Sequence, residues 1–324
     1  MKTKILSLLR EADDYLSGQD LCERFGVTRA AVWKAIKQLE KEGYQIDAVP
    51  NRGYRLLAQP ELFTERELKS RIHTKWAGRE LAFYDSLGST NVEAKRLAEE
   101  GAKEGTLVVA DAQTAGRGRR GRSWQSPPGV NLYFTLLLTP KFSPNLAPML
   151  TLVMAMAVRE AVEELTGVPT GIKWPNDIVI GGKKAVGILT EMSVQGEYIQ
   201  HVVIGVGINV GKQTFPKELI HAVSLEEAAG RSLSRAALLE RCMVHFEKDY
   251  ALFLQTEDLS LLQEEYDNCL VNRDREVRVL DPAGEYTGIA EGINAKGELR
   301  VRTIEGLKEI YAGEVSVRGI YDYV

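Results

Sequence analysis

Residues 114 to 124 read TAGRGRRGRSW, with four arginines and three glycines in the seven positions from Gly116 to Arg122. Glycines let backbone amides approach a ligand closely, and guanidiniums offer forked donors matched to phosphate or carboxylate. Adjacent like charges repel unless an anion neutralises them, which favours an anion-binding loop over a plain exposed turn. By spelling, Gly116, Gly118 and Gly121 satisfy G-x-G-x-x-G, and Gly116, Gly121 and Ser123 satisfy a P-loop apart from Arg122 in the lysine position. Both patterns need a helix directly after the glycines, and Pro127 and Pro128 forbid one. What remains is a basic, glycine-rich loop between two strands.

A second cluster is KWPNDIVIGGKKAVGIL, residues 173 to 189. Lys173 and Lys184 bracket Asn176 and Asp177, whose oxygens suit a magnesium ion. Gly181 and Gly182 predict a tight hairpin turn, so Lys183 and Lys184 alternate faces and only one can meet a site. A hairpin with exposed lysines is the alternative reading. Downstream, VIGVGINV (203 to 210) ends a buried strand with two glycines and Asn209; glycine inside a strand often marks the close approach of a ligand. Upstream, GSTNVEA (88 to 94) places Thr90 and Glu93 as a capping box, and the helix it opens would offer its N-terminus to polar or anionic groups. His73, His201, His221 and His245 are isolated, so no nucleophile and base pair emerges. Arginine, lysine, asparagine and glycine without a nucleophile indicate phosphoryl or nucleotidyl chemistry, in which positioning and charge stabilisation do the catalysis.

The elements that must carry these residues follow from pattern. A chain of 324 residues, 44% hydrophobic and 27% charged, is an ordinary globular protein of two or three domains. Its net charge of -4 makes any basic function local. Cys22, Cys242 and Cys269 are too scattered for a disulfide framework or zinc site, the N-terminus meets acidic residues too soon for a secretory signal, and APMLTLVMAMAV (147 to 158) is too short to span a bilayer. A cytoplasmic protein with a buried helix at that run, and no membrane partner, is expected.

Residues 1 to 62 form the first expected domain. Two amphipathic helices, the turn GVT, a third helix TRAAVWKAIKQLEKEG and two short extended runs joined at Pro50 to Gly53 make a winged helix-turn-helix pattern. Val32, Ile36 and Leu39 share the buried face of the third helix, leaving Arg29, Ala30, Trp33, Lys34 and Lys37 outward behind Thr28. Residues 1 to 60 hold ten basic and eight acidic side chains, a balance that also suits a protein-interaction module; Arg52 and Arg55 on the wing favour DNA. Residues 63 to 272 alternate helices (64 to 73, 90 to 100, 144 to 166, 234 to 269 with a break) and strands (106 to 111, 131 to 138, 177 to 181, 185 to 194, 198 to 208). Three final strands without intervening helices imply a mixed or antiparallel sheet. Residues 273 to 324 are short alternating runs with turn signals, as in a small β-barrel. The fold class is α+β and multidomain: winged helix, central α/β catalytic domain with a mixed sheet, and a C-terminal SH3-like barrel.

GRGRRGRSW, KWPND, KKAVGIL and GVGINV, in this order and after a winged-helix unit, closely resemble the bacterial bifunctional biotin protein ligases that also repress the biotin operon. The resemblance covers essentially the whole chain. It implies that biotin's carboxylate attacks the α-phosphate of ATP, with magnesium, to give biotinoyl-5'-AMP and pyrophosphate. A lysine of the biotin carboxyl carrier protein of acetyl-CoA carboxylase, or of another biotin carboxylase, then attacks that anhydride. The family pattern assigns biotin to Ser89, Thr90, Asn91, Gln113, Gly116, Arg117, Gly118, Arg119, Lys184 and Gly187. It assigns the nucleotide to Arg119, Arg122, Trp124, Asn176, Lys184 and Asn209, with Trp124 over the adenine and Asn176 and Asp177 near magnesium. Lys184 and Arg119 are the expected catalytic pair, and the Lys183–Lys184 tandem makes the register a point to test. The adenylate would also act as corepressor on operator DNA, read by a homodimer formed through strand 198 to 208 or the arginine loop, because one winged helix makes a small interface. A glycine-rich basic loop is expected to close over the adenylate and shield it from water.

Overall fold

Three helices, α1 (Lys2–Glu11), α2 (Gly18–Phe25) and α3 (Arg29–Lys41), open the chain in a computed structural model that describes residues 1–58, 62–281, 284–311, 316–319 and 323. The Ser17 hydroxyl caps α2 by accepting from Gln19 N at 3.1 Å, and Thr28 caps α3 by accepting from Ala31 N at 3.3 Å. Ile5, Leu6, Leu9, Leu21, Val32, Ile36 and Leu39 close the core between them. The wing is the hairpin β1 (Gln45–Val49) and β2 (Gly53–Ala58), tied to the start of α2 by reciprocal backbone bonds between Leu16 and Tyr54.

This N-terminal unit runs to His73, past the boundary expected at 62. The reason is Glu67 on α4 (Glu65–Arg71), which is 1% exposed and accepts from Arg10 Nη2 at 2.7 Å, from Arg71 Nε at 2.7 Å and from the Tyr44 hydroxyl. Burial alone would raise the Glu67 carboxyl, but the donors from Arg10 and Tyr44 outweigh it and hold the group below its ordinary range. The expected helix at 64 to 73 is therefore present, yet it belongs to the winged-helix unit.

The second unit, Thr74–Val324, is built on a seven-stranded mixed sheet in the order β3-β4-β5-β9-β8-β7-β6. Its elements are β3 (Leu81–Tyr84), α5 (Thr90–Glu99), β4 (Leu107–Ala110), β5 (Leu132–Leu138), α6 (Met149–Thr166), β6 (Gly171–Lys173), β7 (Asp177–Ile180), β8 (Lys183–Gln195), β9 (Tyr198–Ile208), α7 (Leu225–Ala229), α8 (Arg235–Thr256) and α9 (Gln263–Cys269). Among the described residues of this sheet, only β3 and β4 pair in parallel. The mixed sheet is as expected, with two short edge strands, β3 and β6, added. The strand at 198 to 208 is central, bonded to β5 along 202–208 and to β8, so its backbone there has no free edge for a dimer.

α6 is apolar enough to resemble a membrane span by composition, but Leu150, Val153, Met154, Ala157 and Ala161 are fully buried and the helix packs along α8. It is the core helix expected at that run.

The C-terminal residues form a five-stranded antiparallel sheet of β10 (Arg275–Leu280), β11 (Tyr286–Ile293), β12 (Leu299–Thr303), β13 (Gly306–Ile310) and β14 (Ser316–Gly319), in the order β13-β12-β11-β10-β14. Trp174 of the KWPND segment anchors it: the indole is 1% exposed and donates to the Gly297 carbonyl at 3.0 Å. Pro282 and Ala283 of the expected DPAG turn, and residues 312–315 of the last alternating run, lie outside the described residues.

Candidate active site

One cavity collects side chains from four separated stretches: the start of α5, the arginine loop, the KWPND turn with β8, and the end of β9. Its lining includes Ser89, Thr90 and Gln113, and its floor is the backbone of β8 and β9 at Gly187, Gly205 and Gly207. The α5 N-terminus is not closed by the expected Thr90–Glu93 capping box. Ser89 is the N-cap residue, and Glu93 turns instead to the Tyr84 hydroxyl at 2.6 Å and to Arg96. Gln113 replaces the box: its Oε1 accepts from Thr90 N at 2.9 Å and Thr90 Oγ1 at 3.2 Å, while its Nε2 donates to Ser126 Oγ. The side chain of Ser89 makes no capping bond and faces the cavity.

Asn91, also on the cavity wall, has its polar atoms committed elsewhere. Nδ2 donates to the Leu189 carbonyl and to Glu191 Oε2, and Oδ1 accepts from Thr135 Oγ1 at 2.7 Å. Gly205 is required behind it, because a Cβ there would come within 2.0 Å of Asn91 Oδ1.

The β7–β8 hairpin turns at Gly181 and Gly182, both at positive φ, as the spacing predicts. Lys183 is exposed, and Lys184 lines the cavity. Lys184 Nζ lies 2.6 Å from Asp177 Oδ1, and its backbone is held by His221 O and Val223 N. Asn176 bridges the same region: its Oδ1 accepts from Arg119 Nη1 at 2.9 Å, and its Nδ2 donates to the Ile188 carbonyl at 3.0 Å. Burial lowers the Arg119 pKa, opposed by the Asp177 charge. Its guanidinium is thus a partly desolvated cation, which strengthens its attraction for an anion entering the cavity.

The arginine loop folds back on itself rather than running straight between β4 and β5. Gly118 N donates to Arg122 O at 2.7 Å and Trp124 N to Gly116 O at 2.9 Å, around a tight turn at Arg119–Gly121. Gly116 serves this return, since a Cβ would meet Trp124 O at 2.4 Å. The loop then drops the Trp124 indole onto the cavity floor, where added Cβ atoms at Gly187 and Gly207 would strike it at 2.8 and 2.5 Å. Trp124 Nε1 is buried without a hydrogen-bond partner among the described residues, and Lys184 Nζ is 5.4 Å from the ring centroid. With the indole there the cavity is about 50 Å³, far below the several hundred Å³ of a typical small-molecule site.

Of the expected site residues, Ser89, Thr90, Asn91, Gln113, Arg117, Gly118, Arg119, Trp124, Asn176, Lys184 and Gly187 line this cavity, and Gly116, Arg122, Asp177 and Asn209 do not. Asp177 stands behind Lys184, Arg122 is exposed, and Asn209 uses its backbone to tie Ala185 to Leu225. Ile188, Leu189 and Val206 add an apolar wall that sequence reasoning missed, because nothing distinguishes them from other strand core residues. Gly205 and Gly207 carried a signal, glycine inside a strand, without being named as site residues.

In the N-terminal unit, Thr28, Arg29, Ala30, Trp33, Lys34, Lys37, Arg52 and Arg55 are all exposed, Trp33 at 56%. Arg52 lies over the Tyr15 ring at 4.3 Å and bonds Asp14.

Three family models match the chain: an HTH domain over residues 2–55, the Biotin/lipoate A/B protein ligase family over 84–209, and the Biotin protein ligase C terminal domain over 274–318. The Bifunctional ligase/repressor BirA of Bacillus subtilis is 40% identical over 98% of each chain, and that of Escherichia coli K12 is 31% identical over 97% of this chain and 96% of its own. Among solved structures, the biotin protein ligase of Aquifex aeolicus in complex with biotin and ATP is 35% identical, with a TM-score of 0.67 over 74% of this chain and 99% of that one. With both halves of such a protein present at the N-terminus and around the cavity, the chain belongs to the bifunctional ligase/repressor family.

Proposed function

We propose that this chain is a biotin protein ligase and biotin-dependent repressor. It joins biotin and ATP into biotinoyl-5'-AMP and transfers biotin to a lysine of a carboxyl carrier domain. The observation that carries the reading is the convergence of three cations, Arg117, Arg119 and Lys184, with polar groups of α5 on one cavity whose lining contains no nucleophile and base pair. The substrates bring their own nucleophiles in both steps, so the protein need only position them and stabilise charge.

In this reading Ser89, Thr90 and Gln113 take the ureido end of biotin, Ile188, Leu189 and Val206 its apolar body, and Asn91 fixes the wall. Lys184 Nζ moves from Asp177 to the biotin carboxylate and the α-phosphate, where negative charge develops as the new P–O bond forms and pyrophosphate leaves. Arg117 and Arg119 with Gly116 and Gly118 cover the adenylate. Arg122 and Asn209 approach the nucleotide's outer parts, and Trp124, displaced from the floor, packs over its base.

No cluster of three or more His, Cys, Asp or Glu side chains able to hold a metal occurs among the described residues. One carboxylate and one amide fit a magnesium ion that arrives largely coordinated by phosphate oxygens. Asn176 Oδ1 and Asp177 Oδ1 would hold it there once Arg119 and Lys184 turn to the substrate anions, and it would supply neutralisation of the triphosphate charge.

The carrier is the biotin carboxyl carrier protein of acetyl-CoA carboxylase or a similar biotin carboxylase subunit, and the DNA partner is a biotin operator bound by a homodimer through α3 and the wing. Three cysteines without disulfides, two of them buried, fit the cytoplasm. Incubation with labelled biotin, ATP and an apo carrier domain tests the ligase: label on the carrier only with ATP present is expected, and none would refute it. A gel shift of operator DNA that strengthens with biotin and ATP tests the repressor.

A further inference from the structure

Four residues beside the cavity, Lys184, Asp177, Tyr323 and His221, form a closed circuit. Lys184 Nζ pairs with Asp177 Oδ1 at 2.6 Å, and Asp177 Oδ2 accepts the Tyr323 phenolic hydrogen. The Tyr323 ring stacks on His221 with centroids 5.7 Å apart and planes inclined by 19°. The His221 carbonyl accepts the backbone N–H of Lys184 at 2.6 Å, which closes the circuit. Lys173, 6% exposed, places its Nζ 3.4 Å from the Tyr323 centroid. Tyr323 is thereby held at the carboxylate that parks the Lys184 ammonium.

We infer that Tyr323 is a positioning residue for adenylate formation: by occupying one oxygen of Asp177 it keeps the Lys184 ammonium singly held and releasable to the substrate anions. The inference rests on the ligase reading. A carboxylate that accepts a phenolic hydrogen bond on one oxygen presents only the other to Lys184, and part of its charge is already satisfied. Without the phenol, both oxygens are open to the ammonium, the pair tightens, and transfer of Lys184 to biotin's carboxylate and the α-phosphate slows. The second half-reaction starts from an adenylate already made and no longer waits for that transfer.

Tyr323→Phe is the informative variant, because it keeps the ring beside His221 and Lys173 and removes only the hydroxyl. Rapid-quench measurement in the full-length protein, with biotin and radiolabelled ATP, should show the rate constant for adenylate formation reduced about ten- to a hundredfold, on the scale of one hydrogen bond to a charged group. The KM values for biotin and ATP should stay within about twofold, as for an interaction that acts on the reacting state rather than on binding. Transfer from supplied biotinoyl-5'-AMP to the carrier should match the parent protein. In an Asp177→Asn background the same change should have no further effect, since the tyrosine acts through that carboxylate. Unchanged adenylate formation in Tyr323→Phe, equal losses in both half-reactions, or a full additional loss on top of Asp177→Asn would each overturn the inference while leaving the ligase reading intact. A parent protein that makes no adenylate would overturn both.

Discussion

Lys184 and Asp177, seven residues apart across the β7–β8 hairpin, form an ion pair of 2.6 Å at the edge of the cavity. The register that brings them together includes an irregularity between Ile178 and Val179, which lets Val179 face Lys184 while Ile178 faces Val186. The ammonium is therefore held at the site before any substrate arrives, and Lys183, one residue earlier, is left in solvent. A lysine parked on a carboxylate is positioned without being spent, and an incoming pair of anions can draw it away.

In the proposed reading Trp124 leaves its seat over the cavity floor when ligands bind. Of the four tryptophans, Trp124 is the one over the cavity floor, so addition of biotin and ATP should change the intrinsic emission, and Trp124→Phe should abolish most of that change. Gly207→Ala, which crowds the same seat, should cost about 1–3 kcal/mol of stability as an overpacked site. An undiminished emission change in Trp124→Phe would show that the indole does not move.

Arg119 supplies a desolvated cation already aimed by Asn176. Arg119→Ala should release or hydrolyse bound biotinoyl-5'-AMP about ten- to a hundredfold faster, the loss expected for one charge-assisted hydrogen bond. The lifetime of the isolated complex, followed by chromatography, measures it; an unchanged lifetime would remove the shielding role from the loop.

The outer face of α3 should be separable from the ligase. Lys34→Ala with Lys37→Ala should weaken operator binding and lower the slope of log K against log salt by about one for each phosphate that is no longer neutralised. Biotin transfer to the carrier should be unchanged. Gel shifts at several salt concentrations decide this, and an unaltered slope would place the DNA-binding surface elsewhere.

Asp249 on α8 gives the second unit a pH signature. The side chain is fully buried with neither oxygen hydrogen-bonded among the described residues, and burial, with the charge of Glu160 nearby and against the pull of Lys248, raises its pKa to about 7. A carboxyl whose folded pKa exceeds its unfolded value near 3.8 contributes stability that is fully present below that value and is lost as pH rises through about 7. The parent protein should therefore lose on the order of 2–4 kcal/mol between pH 5 and pH 8 from this group. Asp249→Asn should flatten that decline, as read from thermal melts across the range; equal slopes in both proteins would contradict it.

Much of the site was readable because its chemistry needs unusual residues in unusual places. Four arginines among glycines, a lysine after a Gly-Gly turn, and glycines inside a strand each conflict with ordinary folding preferences, and of these Arg117, Gly118, Arg119, Lys184, Gly205 and Gly207 line the cavity. The helix-cap reading failed because the acceptor that satisfies Thr90 N comes from Gln113, 23 residues away, and no local pattern reports such a partner. β3 and β6 escaped notice because four and three residues carry too little periodicity. The boundary after residue 62 moved because α4 is claimed by one buried carboxylate, Glu67, whose partners Arg10 and Tyr44 lie far upstream. Asp177 was visible as a metal ligand, while its pairing with Lys184 and Tyr323 depends on hairpin register and on a partner 146 residues away in sequence.

The most direct test of the account is a single-turnover experiment without carrier, comparing the parent protein with Lys184→Ala and Lys183→Ala. With excess biotin and ATP, the parent and Lys183→Ala should each accumulate close to one equivalent of bound biotinoyl-5'-AMP with release of pyrophosphate. Lys184→Ala should form it at least about a hundredfold more slowly, the loss typical of removing one donor to developing charge. Normal adenylate formation by Lys184→Ala, or its loss in Lys183→Ala alone, would contradict the assignment of the site's chemistry to Lys184.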